Sequence, residues 1–315
     1  MDTSLLDISG APDERVFKAN DYKGPPARWC PGCGDFSILA TTRRLLESEQ
    51  LAPEKTLFVS GIGCSARFPH YLKTYGFHGI HGRALPLALG AKLRRPDLTV
   101  FVVMGDGDCT SIGAGHWIHG IRYNTNVTVL LLDNNIYGLT KKQTSPTTPV
   151  KYVTNTQPQG SYLNPLHPIA VTLGVANASF VAQTADWIPA HLLATMKAAQ
   201  QHKGLSFIRI LQRCPKWTID IMDAKVKTPD EMMILNHEDG ITDAKVQKMY
   251  KNQMEHDPSD LDAARELTGM TSHIPLGLFY KNADIPTYDD LRRGKDFTTE
   301  EKMANIEKEF DRFAV

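Results

Sequence analysis

Apolar residues in this chain fall into short, β-branched runs separated by stretches of helical periodicity. Residues 56–60 read TLFVS, 99–104 read TVFVVM and 127–132 read VTVLLL. Runs this short and this continuously apolar predict strands buried on both faces. Residues 179–182 and 205–211 predict two more. Between them, Ile38, Leu39, Leu45 and Leu46 share one face of a predicted helix, with Asp35 as its cap. Further helices are predicted over 85–93, 165–173 and 186–201, and one that starts near Thr110 or Ser111. Strands alternating with helices predict an α/β chain with a doubly wound, mainly parallel sheet. Residues 1–28 are polar and punctuated by Pro and Gly, and read as an irregular N-terminal arm. From about Lys225, dense charge and short amphipathic patterns predict a helical C-terminal cap or tail. Within it, Ser259 with Asp262 and Thr298 with Glu301 have the spacing of capping boxes. The expected division is an arm over 1–28, a binding domain over 29–224 and a tail over 225–315.

Composition narrows the class. The 315 residues balance 35 Lys and Arg against 35 Asp and Glu, so nothing favours a nucleic-acid partner. The start, MDTSLLDISG, has neither the basic nor the apolar segment of a secretory signal. No apolar run approaches a membrane span. A cytoplasmic protein with no membrane contact is the expectation. Its five cysteines then read as metal ligands, catalytic groups or inert residues before disulfides.

In open parallel sheets, ligands gather beyond the carboxyl ends of the strands. Cys64, Asp106, Asn134 and Cys214 each follow the end of a predicted strand. Gly105-Asp106-Gly107-Asp108 is a turn through which a backbone can approach a ligand closely. The helix start beyond it offers N–H groups to phosphate. Asp106 and Asn134 offer the hard oxygens that Mg²⁺ prefers. Together they predict a seat for a metal-bound diphosphate. Cys30 and Cys33 form a Cys-x-x-Cys, and with Cys64 and Cys214 they make a four-thiolate set that suits zinc or an iron–sulfur cluster alike. Cys109 reads as a small buried filler.

Other signals are weaker. Gly61-x-Gly63-x-x-Ala66 imitates a dinucleotide fingerprint, but the next acid after it is Asp97, too far on. Gly105-x-Gly107 fails the same pattern because position 110 is Thr, and no Gly-Lys-Ser/Thr phosphate loop exists. His78 with His81, and His116 with His119, lack a third ligand. His116 and His119 read as one ordinary helix face. His81, beside Gly82 and Arg83, suits acid–base or phosphate work as well as a structural hydrogen bond. Arg67, three residues after Cys64, points to a carboxylate-bearing substrate.

Asp106 between two glycines, followed by Asn134-Asn135, resembles the thiamine diphosphate motif. With WCPGCGD, GIGCSARF, HGRALPLALGAK and DNNIYGLTKKQTSPT, residues 20–215 closely resemble the β subunit of the 2-oxoacid:ferredoxin oxidoreductases. The resemblance implies thiamine diphosphate, Mg²⁺ and one [4Fe-4S] cluster, with coenzyme A as co-substrate. It assigns the cluster to Cys30, Cys33, Cys64 and Cys214, and Mg²⁺ to Asp106, Asn134 and the carbonyl of Ile136. It implies cofactor contacts at Gly63, Cys64, His81 and Gly82, at Gly105, Asp106, Gly107 and Asp108, and at Tyr137, Gly138 and Leu139. Arg67, His81, Arg83, Leu139 and Thr140 are the implied catalytic and substrate residues. The implied reaction is oxidative decarboxylation of a 2-oxoacid to an acyl-CoA and CO₂ with reduction of ferredoxin, or its reverse. The basic Arg67 favours 2-oxoglutarate over pyruvate or a broad 2-oxoacid range. An α subunit is the implied partner in a heterodimer, itself expected to pair into a dimer of heterodimers. The α subunit is implied to supply an activating glutamate for which this chain's site loops offer no candidate. The polar loop 140–160 is expected to close over the substrate. Two rival readings are a non-redox thiamine-dependent decarboxylase with structural zinc, and a non-catalytic assembly subunit with a zinc knuckle.

Overall fold

The computed structural model describes residues 15–238, 241, 243–293 and 298–313; half of the expected arm, residues 1–14, lies outside the described residues. Strands follow the chain as β1 (Thr56–Ser60), β2 (Tyr75–His78), β3 (Thr99–Gly105), β4 (Thr128–Asp133), β5 (Phe180–Ala185), β6 (Ser206–Leu211), β7 (Met232–Asn236), β8 (Gln253–Glu255) and β9 (Ile274–Lys281). Helices are α1 (Asp35–Ser48), α2 (Ala84–Arg94), α3 (Ala114–Tyr123), α4 (Pro168–Leu173), α5 (Pro189–Gln201), α6 (Ala224–Val226), α7 (Ala244–Met249), α8 (Leu261–Leu267), α9 (Tyr288–Arg293) and α10 (Thr299–Asp311). The five predicted strands all form, as β1, β3, β4, β5 and β6.

Among the described residues the strands make one sheet in the order β2-β1-β3-β4-β6-β5-β9-β7-β8. The six strands from β2 to β5 pair in parallel, and β9 reverses direction against β5. Successive residues of a strand point to opposite faces, and both faces are covered. Val100, Val102 and Met104 meet Leu85 and Ala88 of α2 and Trp117 of α3. Phe101 and Val103 meet Ile38 and Leu45 of α1 and Leu192 and Met196 of α5. Phe58 stacks on Phe101 with ring centroids 4.8 Å apart. The parallel register sets Gly105 opposite Leu132 and Asp133 opposite Leu211, so β3, β4 and β6 end together on one edge.

Three local expectations are corrected. Asp35 does not cap α1: it is the first helical residue, buried, and the N-cap position falls on Gly34 without a side-chain bond. The helix after Gly105 does not run straight on from Thr110 or Ser111. A wide π-helical turn over Asp108–Ile112 comes first, and α3 starts at Ala114. Ser259 is not the cap of α8. Asp260 caps it through the N–H groups of Asp262 and Ala263, and the Ser259 hydroxyl bonds Asp257 instead. The Thr298–Glu301 capping box forms as expected. The helical C-terminal tail is present, and ahead of it β7, β8 and β9 extend the sheet. The buried run from Pro275 to Tyr280 is apolar enough to predict β9, but the charge around it masks the pattern. No helix among the described residues is long and apolar enough to cross a membrane.

The stacked Phe58–Phe101 pair makes the sheet's α1/α5 face the sensitive one. Phe101→Ala should lower unfolding free energy by about 3–5 kcal/mol in urea denaturation. Phe310→Ala, on the exposed α10, should change it by no more than about 0.5 kcal/mol.

Candidate active site

Two cavities open at the carboxyl edge of the parallel strands. The larger, of 380 Å³, is walled by the loop after β1 at Ile62–Ser65, by the turn at 105–108 and by residues 136–140, with His81 and Asn134. The smaller, of 230 Å³, is walled by Cys30, Cys33, Cys64 and Cys214 with Trp29, Trp217 and Gln212. Cys64, Asn134, Gly138 and Leu139 line both, so the cavities share a wall.

The floor of the larger cavity is a set of buried carboxylates. Asp106 Oδ2 accepts from the hydroxyls of Ser145 and Thr147, at 2.5 and 2.7 Å. Thr147 Oγ1 also lies 3.0 Å from Asp133, whose other oxygen pairs with Arg209 at 2.6 Å. Burial pushes the Asp106 carboxyl up to about 7, and the neighbouring Asp133 charge adds to it. Asp108 Oδ1 accepts from the Gly82 N–H at 2.7 Å and the Ile62 N–H at 3.3 Å, and sits 2.6 Å from His81 Nδ1. Burial raises the Asp108 carboxyl as well, and these partners partly offset it. Asp108 therefore ties together the loops after β1 and β2. A Cβ on Gly61 would come within 2.0 Å of the Asp108 carboxylate, and one on Gly107 within 2.2 Å of the Tyr137 ring. Glycine at both positions is what allows the carboxylate and the ring to stand there. Tyr137 donates to the Gly107 carbonyl at 2.9 Å and closes the turn from above.

Asn134 bridges toward the second cavity. Its amide donates to Gln212 Oε1 at 2.7 Å, its carbonyl oxygen accepts from the Ile136 N–H at 3.2 Å, and Gln212 in turn reaches Cys33 Sγ at 3.3 Å. Trp29 and Trp217 fasten the walls by donating to the carbonyls of Cys64 and Gly138, at 2.7 and 3.0 Å. Burial raises the thiols of Cys33 and Cys214, and pushes that of Cys64 up to about 12. Asp35 lies beside Cys33 and is itself pushed up to about 7 by burial. Cys30 is exposed. Among the described residues no three His, Cys, Asp or Glu side chains converge on one point as a single metal ion requires.

The structure thus brings together Gly63, Cys64, His81, Gly105, Asp106, Gly107, Asp108, Asn134, Ile136, Tyr137, Gly138, Leu139 and Thr140 around the larger cavity. Gly82 stands behind it, at φ +73°, with its N–H on Asp108. Two arginines fall elsewhere. Arg67 lines the cysteine cavity, with its guanidinium 5.9 Å from the Tyr71 ring. Arg83 turns away to the Ile112 carbonyl at 3.3 Å. His78 bonds Ser60 and the Ala66 carbonyl, and His119 contacts Arg122 on α3, so neither pair of histidines forms a site. Cys109 packs in the apolar core. Of the loop 140–160, Thr140 and Gln143 line the larger cavity, while Ser145, Thr147 and Thr148 are buried, the first two against Asp106. Trp29, Ser145 and Thr147 lie within the stretches WCPGCGD and DNNIYGLTKKQTSPT but have no role implied there, and Gln212 and Trp217 lie in no motif stretch. Their place in those stretches, and the position of Trp217 three residues after Cys214, are the signals that could have flagged them.

Comparison with known proteins places this geometry. Residues 61–210 match the family model for the thiamine pyrophosphate enzyme, C-terminal TPP binding domain. Residues 245–295 match that for the C-terminal part of the pyruvate ferredoxin oxidoreductase beta subunit. The chain is 39% identical to 2-oxoglutarate oxidoreductase subunit KorB of Mycobacterium tuberculosis, covering 93% of this chain and 85% of that one. It is 36% identical to the 2-oxoacid:ferredoxin oxidoreductase subunit beta of Saccharolobus solfataricus, covering 83% and 84%. Its fold matches a solved 2-oxoglutarate:ferredoxin oxidoreductase from Magnetococcus marinus with 2-oxoglutarate, coenzyme A and succinyl-CoA bound. That match has a TM-score of 0.77 at 36% identity and covers 95% and 92% of the two chains.

Asp106 gives this site a pH signature. Its folded pKa lies above the unfolded value, so folding favours the proton, and stability falls as pH rises from the ordinary carboxylate range through about 7. Asp106→Asn keeps the shape without the charge. In metal-free protein, thermal unfolding should find the variant more stable than wild type at pH 8, with the gap closing toward pH 4. A gap equal at both pH values would contradict this origin.

Proposed function

The chain belongs to the β subunits of the 2-oxoacid:ferredoxin oxidoreductases, and on that premise we propose that it oxidatively decarboxylates 2-oxoglutarate to succinyl-CoA and CO₂, or runs the reverse carboxylation, with ferredoxin as electron partner. The observation that carries the reading is the wall shared by the two cavities, which sets a diphosphate-type seat beside a cavity lined by four thiols.

The larger cavity suits thiamine diphosphate. Gly63, where a side chain would meet open space, leaves room, and Leu132, Ile136 and Leu139 give it apolar walls. Asp106, Asn134 and the Ile136 carbonyl would hold Mg²⁺ against the diphosphate. When bound, the cofactor supplies the electron sink that lets a 2-oxoacid lose CO₂. Asp108 keeps His81 and the Gly82 loop fixed at the cavity's edge.

The smaller cavity suits a [4Fe-4S] cluster held by Cys30, Cys33, Cys64 and Cys214. Burial holds Cys33, Cys64 and Cys214 in the neutral thiol form, so loading the site would release protons. When bound, the cluster would take electrons one at a time from the adjoining cavity. Five unpaired cysteines accord with a cytoplasmic location.

The site is half of an enzyme. Among the described residues the acids lining the larger cavity are Asp106 and Asp108, both engaged, and no Glu lines it. We therefore place the activating glutamate on an α subunit in a heterodimer. The substrate assignment draws on the two relatives named for 2-oxoglutarate and on Arg67, which lines the adjoining cysteine cavity.

Anaerobic co-purification with the α partner, followed by viologen reduction across a 2-oxoacid panel, tests the reading. Reduction should require coenzyme A and run faster on 2-oxoglutarate than on pyruvate. CO₂ release with no viologen reduction would favour the zinc-containing decarboxylase. Arg67→Ala should raise KM for 2-oxoglutarate more than for pyruvate, and equal effects on both would remove Arg67 from substrate choice.

A further inference from the structure

Resting on the reading that Asp106 helps hold a cation against a diphosphate, we propose that Ser145 and Thr147 are the positioning residues for that cation, braced through Asp133 and Arg209. Asp106 stands in a turn between two glycines. The hydroxyls on its carboxylate come from 39 and 41 residues further along the chain. Both fall on the same oxygen, Oδ2. A carboxylate clamped through one oxygen has a fixed side-chain torsion, and neither hydroxyl engages Oδ1.

The same segment also fixes the other half of the seat. Asn135 Nδ2 donates to the Thr147 carbonyl at 3.0 Å, and Thr148 Oγ1 donates to the Asn135 carbonyl at 2.6 Å. Asn135 sits between Asn134 and Ile136, the two other positions that would face the cation. Residues 145–148 thus join the turn after β3 to the turn after β4 and set the distance between them. The brace extends further. Thr147 carries one proton and stands between two carboxylates, Asp106 and Asp133. Arg209 binds Asp133 through two nitrogens, at 2.6 and 2.7 Å, and neutralises it. The Thr147 proton is then left for Asp106.

Mg²⁺ demands near-ideal octahedral geometry, whereas Ca²⁺ tolerates variable coordination. Loss of positioning should therefore harm Mg²⁺ binding more than Ca²⁺ binding, whereas general damage to the fold would harm both alike. The test uses the full chain co-purified with its α partner, stripped of cofactor and then saturated with thiamine diphosphate. Calorimetry reads the affinity for each cation. Thr147→Val, which keeps the shape and removes the hydroxyl, should weaken Mg²⁺ about tenfold and Ca²⁺ about twofold. Thr147→Ser, which keeps the hydroxyl, should stay within about twofold of wild type for both. Should Thr147→Val fail to fold, Ser145→Ala removes the other hydroxyl and is held to the same Mg²⁺-over-Ca²⁺ bias. Unchanged Mg²⁺ affinity, or equal losses for the two cations, would overturn the proposal alone. A wild-type complex that binds neither cation would overturn the cofactor reading with it.

Discussion

The site depends on one constraint: β3, β4 and β6 run parallel and stop at the same edge, with Gly105 opposite Leu132 and Asp133 opposite Leu211. That register is fixed because both faces of the strands are buried, so a slip of one residue would exchange the faces of every side chain. Phe101 and Val103 belong against α1 and α5, while Val102 and Met104 belong against α2 and α3. Once the ends are aligned, the turns that leave them have one place to go. Asp106, Asn134 and Cys214 come together from strands that are distant in sequence, and Cys64 joins them from β1.

The edge buries several negative and potentially negative groups together. Asp133 has Arg209 and Asp186 has Arg213, both within 2.7 Å. Asp106, Asp108 and Asp35 are buried with hydroxyls, backbone N–H groups or a thiol for company, and each is raised in consequence. Cys33, Cys64 and Cys214 are raised too. Such a site is stable when protonated and becomes a strong receptor for cationic groups that displace the protons. Gln212 links the two halves by contacting both Asn134 and Cys33, so a shift on one side of the shared wall is felt on the other.

Much of this was legible in the sequence, for a physical reason. Strands buried on both faces are continuous apolar runs, and the residues at their ends are of uncommon types: Cys64, Asp106 between glycines, Asn134 and Cys214. Long-range bonds were not legible. Nothing in residues 145–148 shows that two hydroxyls will meet Asp106, because the loop's return is set by packing. Asp35 has the composition of a helix cap, yet the turn at Cys33 carries it inward. The directions of Arg67 and Arg83 depend on which carbonyl or ring lies within reach, here Ile112 and Tyr71. β7 to β9 were hidden by the charge around them, since an average over a charged stretch erases a short apolar strand.

The central claim is that the four thiols and the diphosphate seat form one redox centre across a shared wall. Metal and sulfide analysis of the anaerobically purified α–β complex tests it most directly. The account predicts about four iron atoms and four acid-labile sulfides per β chain, with broad absorption near roughly 400 nm and bound thiamine diphosphate in the same sample. Replacing Cys64 by Ser should remove the iron. A colourless complex carrying one zinc and no sulfide would contradict it.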